Sequence, residues 1–93
     1  MNVLFVCTAG MYRSKTAAWL FSRVANIRYG SIYDVTIDDI EWADRVYVME
    51  KWHKGILTYF FDSESKIFVL GIPDNYVFGD PELIAILLRR VSL

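Results

Sequence analysis

The stretch Val3-Leu4-Phe5-Val6-Cys7-Thr8-Ala9-Gly10-Met11-Tyr12-Arg13-Ser14 decides how this chain is read. Val3 to Val6 is a continuous apolar run, the pattern of a strand buried on both faces. Loop-like residues follow. From Ser14 the pattern turns helical, with Ala17, Leu20, Phe21, Val24 and Arg28 on one face and an end before Gly30. A buried strand that runs through a tight loop into a helix N-terminus is a place to hold an anion. Backbone N–H groups from Thr8 to Arg13 can curl into a nest, and the small Ala9 and Gly10 let the backbone close tightly. The same positive field favours the thiolate of Cys7, a nucleophile that then needs no separate base. Arg13 can clamp two phosphate oxygens with its planar fork. Ser14 can donate its hydroxyl to the thiolate. Arg in a first helical turn is disfavoured by the helix dipole, and binding an anion would account for it.

The rest of the chain alternates in the same way. A short second strand is expected near Ser31 to Val35. Thr36 can cap a helix through Trp42, with Asp38 and Asp39 in its first turn. Arg45 to Met49 reads as a third strand. Lys51 to Phe60 reads as a helix with Trp52, Ile56 and Leu57 inward, weakened by Gly55. Lys66 to Ile72 is a fourth strand. Asp80-Pro81-Glu82 opens a last helix, with Asp as cap and Pro at the first position. Leu83, Ile84, Leu87, Leu88 and Val91 should form its buried face, and Arg89 and Arg90 suit its C-terminus. This order predicts one domain, 1–93, of α/β class: a four-stranded parallel sheet between helix layers, strand order 2-1-3-4, flavodoxin-like. Loops that follow strands then share one edge. That edge collects Cys7, Met49-Glu50-Lys51 and Asp74-Asn75-Tyr76.

Composition bounds the function. The chain has 93 residues, net charge −1, 55% hydrophobic and 16% aromatic residues. The apolar surplus over ordinary usage predicts exposed apolar surface, around a pocket or at a dimer contact. No basic stripe interleaves with aromatics, so no nucleic-acid partner is expected. Apolar runs are too short to span a membrane. Val3 to Val6 lacks the flanks of a signal peptide, which points to the cytoplasm. With one cysteine and one histidine there is no internal disulfide and no structural zinc site, and no cofactor or metal is implied.

The run NVLFVCTAGMYRS (2–14) resembles the signature loop of the low-molecular-weight protein tyrosine phosphatases. EWADRVYVMEKWH (41–53) is similar to that family's third strand and following helix. KIFVLGIPDNYVFGDPELIAILLRRV (66–91) is similar to the terminal strand, acid loop and last helix of a short, roughly hundred-residue branch. The resemblance implies a phosphocysteine on Cys7, phosphoryl binding by Arg13, and a thiolate steadied by Ser14. It implies a phosphotyrosine protein or small aryl phosphate as substrate; with the apolar surplus, a monomer or weak homodimer is expected. Two positions depart from the pattern. Gly10 stands where the family has an Asn that locks the loop, and Lys15 where Pro is common. The stretch 29–39 is abbreviated.

Asp74 and Asp80 compete as general acid. Asp80 sits in an Asp-Pro pair like that of the longer enzymes, but a helix start already explains it. Asp74 directly follows the last strand on the Cys7 edge and is the choice here. It would protonate the departing phenolate and then deprotonate the attacking water. Substrate-binding residues are Thr8, Ala9, Gly10, Met11, Tyr12, Ser14 and Tyr76, with Tyr12 and Tyr76 stacking on an aryl ring and Phe78 a weaker candidate. His53 reads as a surface residue, and Trp19, Trp42 and Trp52 as core. Other readings are a phosphocarrier, since CTAGM also resembles the CSAGM-type loop of sugar phosphotransferase IIB components, an arsenate reductase, or a non-catalytic phosphate-binding module.

Overall fold

Strand β1 (Asn2–Cys7) is central because its side chains have nowhere to go but inward on either face. The computed structural model describes residues 1–93. After β1 come α1 (Arg13–Phe21), β2 (Asn26–Ser31), α2 (Ile37–Trp42), β3 (Arg45–Val48), α3 (Lys51–Phe60), a 3-10 turn at Glu64–Lys66, β4 (Ile67–Val69) and α4 (Pro81–Arg90). The sheet order is β2-β1-β3-β4 and every pairing is parallel. This is the predicted α/β architecture.

Side chains alternate along a strand, so β1 feeds two cores. Val3, Phe5 and Cys7 join Ala17 and Phe21 of α1 and Leu83 and Leu87 of α4 on one face. Leu4 and Val6 join Ile40 of α2 and Leu57 of α3 on the other. Phe5, Tyr47 and Phe68 lie side by side in register on β1, β3 and β4. Their ring centroids are 5.6 Å apart at each step, and Phe21 packs 5.9 Å from Phe5. Burying Phe5, Tyr47 and Phe21 contributes about 1.5–3 kcal/mol each, while Phe68 on the outer strand stays exposed. Cys7 therefore sits at the end of a rigid strand, not on a mobile loop.

Caps fall where the residue types demand. Thr36 Oγ1 accepts from Asp39 N–H while the Asp39 carboxylate accepts from Thr36 N–H. Asp80 caps α4 by accepting from Glu82 N–H at 2.9 Å. Arg90, near the end of α4, donates to the Leu70 and Gly71 carbonyls, pinning the chain just after β4.

Five expectations need correction. Helix α1 stops at Phe21, so Val24 and Arg28 are not on it; β2 is Asn26–Ser31 and overlaps the expected strand only at Ser31. A helix reaching residue 29 would be roughly 24 Å long, overshooting a six-residue strand of about 20 Å to which the chain must return. Strand β4 is shorter than expected, three residues, Ile67–Val69. On α4, Leu83, Ile86 and Leu87 are buried while Leu88 is exposed. Trp19 and Trp52 are exposed rather than core, and Trp42 is only partly buried, under the Arg28 guanidinium.

The apolar surplus surfaces as a groove of about 490 Å³ lined entirely by hydrophobic residues, including Ile32, Val35, Ile56 and Phe60. No helix is long and apolar enough to cross a membrane.

Candidate active site

Chemistry gathers instead at the C-terminal end of β1. Cys7 is buried, and two groups reach its sulfur: the Gly10 N–H donates at 3.2 Å, and the Ser14 Oγ lies 3.1 Å from Sγ, where its hydroxyl donates once the sulfur is a thiolate. Ser14 accordingly belongs to the first turn of α1. That helix has no side-chain cap and no acidic residue in its first turn. Its leading N–H groups are thus left to the loop and to whatever anion the loop holds.

Arg13 is almost fully buried. Nη1 donates to Glu50 Oε2 at 2.8 Å and to the Ile72 carbonyl at 2.7 Å, and Nη2 donates to Thr8 Oγ1 at 3.1 Å. A guanidinium has five N–H groups. Those left are the Nε–H and the second Nη2–H, and Asp74 Oδ1 lies 3.7 Å from Nε. Sequence alone left a bound anion as the account of an Arg in a first helical turn; Glu50 is a second partner, one that orients the fork. The hydrogen bond from Arg13 holds the Glu50 carboxyl below the usual carboxylate range, against desolvation.

The structure thus brings Cys7, Arg13, Ser14, Thr8 and Asp74 together. It engages Asp80 as a helix cap. Met11 and Tyr12 are exposed on the loop. Tyr76 is half-buried against the α1/α4 core, and desolvation with Glu82 and Asp80 nearby pushes its phenol up. Phe78 meets Trp19 edge-on at 6.2 Å, with Lys15 Nζ 5.4 Å from its ring. Gly79 N–H donates to Thr16 Oγ1, tying the segment after Asp74 to α1. No group of three or more His, Cys, Asp or Glu side chains is placed to hold a metal.

Gly10 is not a loosened Asn position. Its φ is +68°, and a Cβ there would lie 2.7 Å from Ser31 N and 2.9 Å from Gly30 C. Strand β2 presses on the loop, and Ser31 Oγ donates to the Thr8 carbonyl at 2.7 Å. Ile32 N–H donates to the Cys7 carbonyl at 2.8 Å. At this point the loop is held by β2, where an Asn side chain would otherwise act. Gly10→Asn, which restores the residue usual in the resembled family, is therefore expected to destabilise the fold by about 2 kcal/mol or more. A urea melt unchanged from wild type would contradict this.

His53 is the residue sequence reasoning missed. It is fully buried. Nδ1 accepts from Glu50 N–H at 3.0 Å, and Nε2 lies 3.0 Å from Thr8 Oγ1. Glu50 as cap with His53 three residues on is a capping-box spacing, which was the available signal. Burial first, then the Arg13 charge, pushes the ring from 6.5 down to about 4, with Glu50 and Asp74 opposing. Below about pH 6.5 an unfolded His53 takes a proton that the folded one refuses until about pH 4, so acid favours unfolding in that window. The cost accumulates to about 3 kcal/mol by pH 4. Urea melts between pH 6.5 and 5, above the carboxylate range, should show His53→Gln with a shallower loss of stability than wild type. Equal slopes would refute it.

No protein-family model and no curated protein matches the sequence. Solved structures do. The tyrosine phosphatase Wzb from Escherichia coli K30, in complex with phosphate, superposes with a TM-score of 0.81 at 17% identity, covering 96% of this chain and 91% of that one. SP-PTP, the low-molecular-weight protein tyrosine phosphatase from Streptococcus pyogenes, gives 0.75 at 20% identity, with 98% and 93% covered. The YwlE arginine phosphatase from Geobacillus stearothermophilus gives 0.74 at 20% identity, with 95% and 88% covered. These likenesses extend over nearly the whole chain, and what they establish is that it has the fold of the low-molecular-weight protein tyrosine phosphatases.

Proposed function

We propose that this protein is a cysteine-dependent phosphatase that hydrolyses phosphotyrosine or another aryl phosphate monoester through a phosphocysteine on Cys7. The observation that carries the reading is a cluster: a buried cysteine sulfur with two donors, beside an Arg fork whose Nε lies 3.7 Å from Asp74. Phosphate monoesters need a nucleophile, donors for the equatorial oxygens and an acid for the leaving oxygen. Cys7 attacks phosphorus while loop N–H groups from Thr8 to Arg13 and the Arg13 fork hold the phosphoryl oxygens. The bond to the aryl oxygen breaks as Asp74 gives that oxygen a proton. Asp74 then takes a proton from water, which attacks phosphorus and releases Cys7 as thiolate, steadied by Ser14. Phosphate leaves. Tyr12, Met11 and Tyr76 form the rim that receives the aryl group. The reading places the protein in the cytoplasm, as a monomer or weak homodimer acting on a phosphotyrosine protein or small aryl phosphate.

The test is steady-state hydrolysis of a chromogenic aryl phosphate, run beside phosphotyrosine and phosphoarginine, since one similar structure is an arginine phosphatase. Asp74→Asn should lower turnover by about 10²-fold. Asp80→Asn should leave it near wild type, because Asn caps a helix as well as Asp does. A larger loss at Asp80 would transfer the acid role. Stable phosphocysteine without turnover would indicate a carrier, and phosphate binding without reaction a non-catalytic module.

A further inference from the structure

We propose that the Thr8 hydroxyl is an additional donor to the bound phosphoryl group, and that His53 is the positioning residue that aims it. The proposal rests on the phosphatase reading above.

A backbone amide can only donate, so Nδ1 of His53, which faces Glu50 N–H, carries no proton. The neutral ring then has its proton on Nε2, pointing at Thr8 Oγ1. Arg13 Nη2 also donates to Thr8 Oγ1. A hydroxyl oxygen has two lone pairs, and both are now taken by N–H donors. Neither donor can accept a proton in return. The Thr8 O–H is therefore directed away from both, instead of rotating freely. Thr8 directly follows Cys7 and is hydrogen-bonded to the Arg13 fork, so the directed proton lies among the groups proposed to receive the phosphoryl oxygens. The charged groups around the ring are Arg13 from α1, Glu50 from the start of α3 and Asp74 from the segment after β4. The Trp52 ring lies alongside at 4.2 Å. A cationic His53 would put a second proton against Glu50 N–H, so the arrangement requires the ring to stay neutral where the enzyme works.

The chain has one histidine, so its ring nitrogens can be read without ambiguity by nitrogen-15 NMR. The expected result is the Nε2–H tautomer from pH 8 to 5, perturbed on addition of inorganic phosphate. Thr8→Val should weaken phosphate binding, measured by calorimetry, roughly tenfold, the worth of one hydrogen bond to a charged group. Thr8→Ser should recover most of that loss. His53→Leu should resemble Thr8→Val, and His53→Gln, which can still donate at the Nε2 position, should lie between Leu and wild type. The two losses should not add in the double variant His53→Leu/Thr8→Val. An Nδ1–H tautomer, or wild-type phosphate affinity in Thr8→Val while the native enzyme is active, would overturn this proposal alone. A native protein that neither binds phosphate nor hydrolyses aryl phosphate would remove the phosphatase reading and this proposal with it.

Discussion

Cys7→Ser is expected to lower aryl phosphate turnover by roughly four orders of magnitude or more, the scale seen when an enzyme loses its nucleophile. Three effects act together. A serine hydroxyl stays protonated at neutral pH, whereas the Gly10 N–H and the Ser14 hydroxyl are set 3.2 and 3.1 Å from a sulfur that can ionise. Oxygen is smaller than sulfur and bonds closer to Cβ, which lengthens both contacts. Any phosphoserine that did form would be a poorer leaving group in the second step. Phosphate affinity should change little, because Arg13 and the backbone donors are untouched. Initial rates and phosphate calorimetry on the same preparation separate the two effects. A serine variant that kept more than about one per cent of turnover would mean that another group attacks phosphorus.

Arg13→Ala carries the second largest effect, and it is expected on two axes at once. The substitution removes the fork and should cost about 10²–10³-fold in kcat/KM, comparable to removing a preorganised donor from the transition state. It also strips partners from Glu50 Oε2, the Ile72 carbonyl and Thr8 Oγ1. Glu50 is only partly exposed, so its carboxylate loses its partner in a poorly solvated place. A stability loss of about 2–4 kcal/mol is expected by urea melt. Arg13→Lys should not rescue turnover, because a point charge cannot reproduce a fork. A stable, active Arg13→Ala would show that the buried guanidinium is neither clamp nor strut.

The way these residues reach one another explains what could be read from sequence. β1 was legible because a run apolar on both faces has one solution, a central strand. The caps at Thr36 and Asp80 were legible because their chemistry is local. β2 was not: it is an edge strand of mixed polar and apolar residues, only Ser31 of them buried, and its Arg28 and the neighbouring Val24 happen to continue the helical period of α1. His53, Glu50 and Ser31 were missed as partners of the loop for a different reason. β3 and β2 flank β1 in the predicted order, but which of their side chains reach Thr8 and Arg13 depends on register and loop path, which no local pattern carries. Gly10 shows the same limit. Against the resembled family it stands only as a departure from an Asn that locks the loop, and its meaning changed once the backbone of Gly30 and Ser31 was found pressed against it.

The central claim is that Cys7 becomes covalently phosphorylated at a site formed by its own loop and Arg13. Rapid quenching of the protein during turnover of an aryl phosphate, followed by peptide mass analysis, tests it most directly. The expected result is one phosphoryl group on the Cys7 thiol, present in wild type, altered in steady-state level by Asp74→Asn and strongly reduced in Arg13→Ala. Turnover with no adduct, or an adduct on any other side chain, would contradict the account.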